Sequence, residues 1–485
     1  MVHRSPHPDI VVQNLSLYDM VFSAAQARGD APAMADGLTG RVITYRQLID
    51  RIRRTAAGLA ARGIGKGDVV SIWAPNLPEW PIAFFAAIRV GATVHTSNPV
   101  STPEEMSYQL SDAGSRLLIT VNALSEKARE AIAESGRSLE IVTLDDSPFP
   151  TLASLMIDAP LPAVDIDPAS DVAVLPYSSG TTGLPKGVML THRNIVAQLA
   201  QLDVAETSDM PAMLGVLPFF HIYGMVVILM LGLMRGVTIV ALHKFEFEPF
   251  LKVLQGWPIT VAHVVPPMAV ALAKHPLVDN YRFPHLQCLF SAAAPMGPEL
   301  TAAVEERLKV KVRQGYGMTE ASPGTHYALP GHEHSGTVGP LLPNTECRIV
   351  DPESGADVPV GERGEVWVRG PQVMKGYLNN PEATAKTVDA DGWLHTGDIG
   401  IVDERGDLTV VDRLKELIKV KGFQVAPAEL ESLLLKHPRI ADVAVIPIPD
   451  EESGELPKAV VVAKGPLTAD EVAEFLLPHV AHYKR

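Results

Sequence analysis

Ser178-Ser179-Gly180-Thr181-Thr182-Gly183-Leu184-Pro185-Lys186-Gly187 is the stretch from which the rest of the chain is read. The apolar run at 171–177 before it reads as a short buried strand, and residues 188–192 lead into a helix-like run starting near Arg193. Between them lie four hydroxyls, three glycines and a lysine. Glycines let the backbone curl and bring N–H groups close to phosphate oxygens, hydroxyls add donors, and a lysine adds a mobile point charge. The pattern is not the common nucleotide loop G-x-x-x-x-G-K-[ST], because Gly187 follows the lysine. A Ser/Gly-rich surface turn is the plainer alternative, but it does not account for so many phosphate-suited groups directly after a buried strand.

At 485 residues the chain is too long for one core and implies several domains or subdomains. A net charge of −15 argues against non-specific binding to nucleic acid or anionic membrane. Positive charge for an anionic ligand must then be local, as at Lys186 and across 413–421. Cys288 and Cys347, the two cysteines, are too few for a disulfide framework and read as core residues of a protein in a reducing compartment. The first residues carry no secretory pattern, and the most apolar run, 225–234, is far short of a bilayer span and reads as a buried helix. A cytoplasmic protein without a transmembrane segment is expected.

Strand and helix patterns alternate from residue 44 to 144, which implies βαβ units and a parallel sheet. The proline- and acid-rich stretch 145–171 reads as a surface connector. Alternation resumes over 195–294. After Glu320, short strands such as 337–339 and 347–350 suggest a small β-barrel-like unit, and beyond Asp412 a compact α+β segment carries a helix over 427–435 and a strand over 442–446. The expected fold is therefore α/β: a large N-terminal domain (1–411) of two α/β sheet units plus the small barrel, a hinge (412–415), and a small mobile α+β C-terminal domain (416–485).

Three further stretches stand out: Gln314-Gly315-Tyr316-Gly317-Met318-Thr319-Glu320, Gly392-Trp393-Leu394-His395-Thr396-Gly397-Asp398, and Asp412-Arg413-Leu414-Lys415 running on through Lys419, Lys421, Gly422 and Gln424. Together with the 178–187 stretch, and in this order, they resemble the motifs of the acyl-adenylate-forming superfamily of acyl-CoA synthetases, adenylation domains and beetle luciferases. The runs 364–370 and 374–378 are similar to the second signature box of the 4-coumarate–CoA ligase branch. The resemblance covers nearly the whole chain.

That resemblance implies an AMP-forming acid–thiol ligase using ATP, Mg²⁺ and coenzyme A on a small carboxylic acid, aromatic or of medium chain length. It places Ser178, Ser179, Gly180, Thr181, Thr182, Gly183 and Lys186 around the β- and γ-phosphates. Thr319 is implied at the α-phosphate, Glu320 on Mg²⁺, Tyr316 between Gly315 and Gly317 on adenine, and Asp398 and Arg413 on the ribose. His221 is implied between the acyl pocket and the CoA channel; alone, a histidine beside apolar residues is more often a satisfied core group. Tyr223, Phe290, Ala293, Gly315 and Pro323 are the implied pocket, and Gly324 stands where plant relatives carry a branched residue. Lys415 is the implied hinge, and Lys419, Lys421, Gly422 and Gln424 serve thioester formation. The family's Gly-Lys motif near the C-terminus is not found before His482-Tyr483-Lys484-Arg485, so a missing tail is expected. Fatty acyl-CoA synthesis, loading of a carrier protein, and non-catalytic nucleotide or acyl-AMP binding are the competing functions.

Overall fold

A computed structural model describes residues 1–178, 184–331, 333–414, 416–420, 423–450, 454–477 and 479–480. The expectations for Ser179, Gly180, Thr181, Thr182, Gly183, Lys415, Lys421 and Gly422, and for the side chains of Lys419 and Gln424, fall outside the described residues.

The alternating pattern of the first third builds a seven-stranded sheet. Its core is parallel, in the order Val172–Ser178, Thr93–Ser97, Val69–Trp73, Leu117–Thr120, Glu140–Thr143. Strands buried on both faces need no polar alternation, which is why Val69–Trp73 and Leu117–Thr120 are almost wholly apolar. The phosphate-loop stretch does not run directly from strand to helix. Lys186–Thr191 is itself a strand, antiparallel to Val172–Ser178 with Ser178 paired to Lys186, so the stretch is flanked by the two strands of a hairpin. The following helix, His192–Ala205, starts with a capping box in which Thr191 accepts from the Asn194 N–H and Asn194 accepts from the Thr191 N–H. Asn194 also donates to the carbonyls of Pro371 and Val373, which brings the second signature box beside the hairpin. There Gly376–Tyr377 adds a last short strand, pairing with Met189 and Val188.

Two four-stranded sheets form the second α/β unit. One orders as Ala212–Gly215, Thr238–Ala241, Pro32–Asp36, Val42–Thr44, the other as Val261–Val264, Cys288–Ser291, Lys311–Gly317, Gly324–Tyr327. A parallel bridge between Ala212 and Ile259 joins them. The apolar run at 225–234 is the expected buried helix, but it begins as a π-helix, Tyr223–Met230, before continuing as Leu231–Arg235. Cys288 and Cys347 are free and buried, as expected, and burial pushes the Cys347 thiol up to about 12.

The barrel-like unit takes the form of a five-stranded antiparallel sheet: His3–Arg4, Glu346–Val350, Gly364–Arg369, Leu394–Val402, Leu408–Arg413. Residues 337–339 are not a strand. Val338 N–H donates to Leu408 and Gly339 accepts from it, an edge contact without a ladder. The C-terminal unit is a four-stranded antiparallel sheet with helices Pro427–Leu434 and Ala469–Leu476, and it has its own core of Ile418, Val425, Leu430, Leu434 and Ile440. It meets the large domain through Lys436, whose ammonium lies 2.5 Å from Glu299, and through the Ala428 N–H, which donates to Asp412. No helix among the described residues is long and apolar enough to cross a membrane.

Candidate active site

A cavity of about 1000 Å³ opens where the hairpin, the two α/β units and the antiparallel sheet meet. Ser178, Lys186, Gly315, Tyr316, Gly317, Thr319, Glu320 and Arg413 line one part of it. His221, Tyr223, Phe290, Ala293 and Pro323 line the other.

The hairpin and the 314–320 stretch touch through Glu320. Its Oε1 accepts from the Ser178 hydroxyl at 2.9 Å and from the Tyr377 hydroxyl at 2.8 Å. Its backbone carbonyl accepts from the Met374 N–H, so the second signature box holds both ends of this residue. Lys186 Nζ sits 5.3 Å from the centre of the Tyr377 ring, a cation–π distance. Tyr377 thus links the lysine and the carboxylate, and burial, helped by Glu320, pushes its phenol up. It was not singled out from sequence, although Met374–Leu378 was quoted as a motif. Among the described residues no cluster of three metal-ligating side chains occurs. Glu320 is nevertheless a buried hard-oxygen donor beside a phosphate-suited hairpin, and Mg²⁺ normally takes only one or two carboxylates, with phosphate and water completing its shell.

Tyr316 lies between two glycines that the packing requires. A Cβ at Gly317 would stand 2.1 Å from the Pro323 carbonyl oxygen, and one at Gly315 would meet the Phe290 ring at 2.9 Å. The Tyr316 hydroxyl donates to Asp398 Oδ2 at 2.5 Å, while Arg413 Nε lies 3.4 Å from the other carboxylate oxygen. Asp398 and Arg413 are register partners on adjacent strands. Asp398 is buried behind Tyr316 and is not among the lining residues; burial raises its pKa against the pull of Tyr316 and Arg413. Arg413 itself is on the wall.

His221 is open to the cavity, and its Nδ1 accepts from the Tyr223 N–H at 3.2 Å. That bond leaves Nε2 to carry the proton of a neutral ring. Enclosure by surrounding protein lowers its pKa, so the ring is neutral at pH 7. Tyr223 bonds through its hydroxyl to His263 Nδ1 at 3.1 Å. Phe290 is stacked on Tyr327, ring centres 4.3 Å apart. Ala293 adopts φ +76°, a left-handed conformation that costs an alanine energy. Tyr327, His326 and Thr387 also line the cavity and were missed from sequence, since no spacing ties them to the quoted motifs.

Lys419 lies in strand Ile418–Val420, where its register partner is Gln424. No described residue beyond Leu414 lines the cavity, and the Lys419 side chain lies outside the described residues.

The chain matches the family model described as AMP-binding enzyme over residues 21–378, and that of the AMP-binding enzyme C-terminal domain over 429–485. It is 43% identical to 4-coumarate–CoA ligase 2 of Petroselinum crispum, with all of this chain and 92% of the relative covered. Among solved structures it is similar to ATP-bound MatB from Rhodopseudomonas palustris, with TM-score 0.89 and 29% identity over 97% of this chain and 93% of that one. It is likewise similar to the o-succinylbenzoate CoA synthetase of Bacillus subtilis in complex with its acyl-adenylate, with TM-score 0.83 and 28% identity over 98% and 93%. With the motif stretches gathered on one cavity and the family model spanning most of its length, this chain belongs to the AMP-binding enzyme family.

Proposed function

We propose that this chain is an ATP-dependent acid–CoA ligase. A carboxylate oxygen attacks the α-phosphorus of ATP, the bond to the bridging oxygen breaks and pyrophosphate leaves; the CoA sulfur then attacks the acyl carbon and AMP leaves. The observation that carries the reading is the single cavity joining a phosphate-suited half, around Lys186 and Glu320, to an aromatic half around Tyr223 and Phe290. Full-length likeness to 4-coumarate–CoA ligases supports it.

The nucleophile and the electrophile are both anionic, so the chain must screen charge and hold the displaced oxygens in line. Lys186, with Ser178 and the 179–183 loop, is the counter-charge for the β- and γ-phosphates, and Thr319 contacts the α-phosphate. Glu320 would hold Mg²⁺, which would supply charge neutralisation for the polyphosphate. Tyr316 offers its face to adenine and Arg413 reaches the ribose, with Asp398 holding both side chains from behind. His221, neutral and standing between the two halves, orients the carboxylate and accompanies the acyl group as the thiol arrives. Lys415 serves as the hinge between a unit ending near 411 and the C-terminal unit, and Lys419, Lys421, Gly422 and Gln424 act in the thiol step.

The Tyr223, Phe290 and Tyr327 rings together with Gly315, Ala292 and Ala293 suit a flat aromatic acid, and 4-coumarate is the first candidate. Pyrophosphate release measured against cinnamates and C6 to C12 fatty acids tests this. Release with no acid of either class would refute the reading.

A further inference from the structure

The aromatic wall of the cavity is tied from behind by charged groups that do not touch the cavity. Phe290 and Tyr327 come from the strands on either side of Lys311–Gly317, opposite Arg313 and Gly315 respectively. Their rings stack at an interplanar angle of 23° over the space that Gly315 leaves open. The Tyr327 hydroxyl donates to Glu206 Oε2 at 2.6 Å, and Arg313 Nη2 donates to the same oxygen at 2.9 Å. Arg313 Nε donates to Cys288 Sγ at 3.1 Å, and its guanidinium lies 5.6 Å and 6.0 Å from the Phe290 and Tyr327 ring centres. The side chains of Arg313 and Glu206 are 2% and 1% exposed.

A buried ion pair is a poor source of stability, because desolvation offsets the attraction, but it fixes geometry. Here it fixes one thing in reach of the cavity, the Tyr327 ring, and through stacking the Phe290 ring. An unanchored pair of rings could swing to fit a flexible chain; an anchored pair presents a flat face. We propose that Glu206 and Arg313 are positioning residues of the acyl pocket, which hold the Phe290–Tyr327 pair rigid and so make the site select flat aryl acids over alkyl acids of similar length. The proposal rests on the reading that this cavity takes the acid.

The test compares cinnamate with octanoate in the parent, in Tyr327→Phe, and in the double variant Glu206→Leu/Arg313→Met. Tyr327→Phe removes only the hydroxyl that reaches Glu206 and leaves the ring volume. The double variant replaces the pair by apolar groups, which buried ion pairs often tolerate. Loss of a charge-assisted hydrogen bond should lower the aryl-to-alkyl ratio of kcat/KM about tenfold. The change should lie in KM for cinnamate, with KM for ATP unchanged. A merely structural pair would alter the melting temperature and leave that ratio alone. A ratio equal to the parent's in folded Tyr327→Phe overturns the proposal, whether or not the double variant folds. Calorimetry of the two acids in the presence of a non-hydrolysable ATP analogue reads the same ratio without turnover. Binding discrimination that is present in the parent and reduced in Tyr327→Phe, without pyrophosphate release, would sink the ligase reading and uphold the anchor. A parent that binds the two acids equally overturns the anchor itself.

Discussion

Lowering the pH from 7.5 to 5 should destabilise the large domain, and four buried histidines set the direction of the effect. His95, His192 and His263 are held down to about 4 by burial, and His326 to about 3. Each is neutral in the fold and uses its ring in a fixed bond: His95 with Ser71 and Gln109, His192 with the Leu17 N–H, His263 with Tyr223, His326 with Thr325. Their folded pKa values lie below the unfolded one, so the unfolded chain takes up protons first. The stability is complete above the unfolded value of about 6.5 and is lost as pH falls toward the folded values. At pH 5 an unfolded imidazole is about 1.5 units below its pKa, which costs the fold about 2 kcal/mol per histidine. Four together come to about 8 kcal/mol, comparable with the whole stability of a domain at roughly 5–15 kcal/mol. Urea melts at pH 7.5, 6.5, 5.5 and 5.0 should show the midpoint falling steeply below 6.5. His192→Gln keeps an acceptor for Leu17 and should shrink the loss by about 2 kcal/mol. A midpoint independent of pH between 7 and 5 would falsify the assignment of these rings as buried and neutral.

Glu320→Gln should raise the Mg²⁺ concentration needed for half-maximal pyrophosphate release, because an amide is a weaker hard-cation ligand; an unchanged titration removes Glu320 from the metal. Lys186→Ala should raise KM for ATP and spare acid binding, and equal ATP kinetics in the two proteins would discard its phosphate role. Ala293→Gly should stabilise the fold by about 1 kcal/mol, since φ +76° suits glycine, while Ala293→Leu should lower the turnover of 4-coumarate and spare short acids. A Gly variant that melts below the parent contradicts the first expectation, and unchanged coumarate kinetics in the Leu variant contradict the second. Gly315→Ala places a methyl 2.9 Å from the Phe290 ring and should cost about 1–3 kcal/mol together with aryl-acid turnover; wild-type melting and kinetics would mean the ring moves freely.

Periodicity within 10 to 20 residues was readable in the chain, and so the parallel strands around Val69–Trp73 and the helix Tyr45–Ala61 were legible. Ser178, Lys186, Gly315, Tyr316, Gly317, Thr319 and Glu320 were legible because they sit in contiguous quoted stretches, whereas His221, Tyr223, Phe290, Ala293 and Pro323 came only from the family resemblance. Contacts across long sequence separations were not. Arg313 and Glu206 are 107 residues apart and carry no shared pattern. Tyr377 was in view as part of a motif, yet its bond to Glu320 spans 57 residues. The strand Lys186–Thr191 was passed over because Gly187 interrupts its β-type pattern, and its pairing with Val172–Ser178 decides that the stretch is a hairpin. Residues 337–339 have strand composition, but their neighbour Leu408 offers only an edge contact. His3–Arg4 carries no strand pattern of its own, yet it pairs with Cys347 and Glu346.

The measurement that bears most directly on the ligase reading is ATP–pyrophosphate exchange with and without 4-coumarate, followed by addition of CoA. Acid-dependent exchange in the first mixture, and coumaroyl thioester with AMP in the second, are the expected results. Tight ATP binding with no exchange for any aryl or medium-chain acid would contradict the account and leave the chain a nucleotide binder.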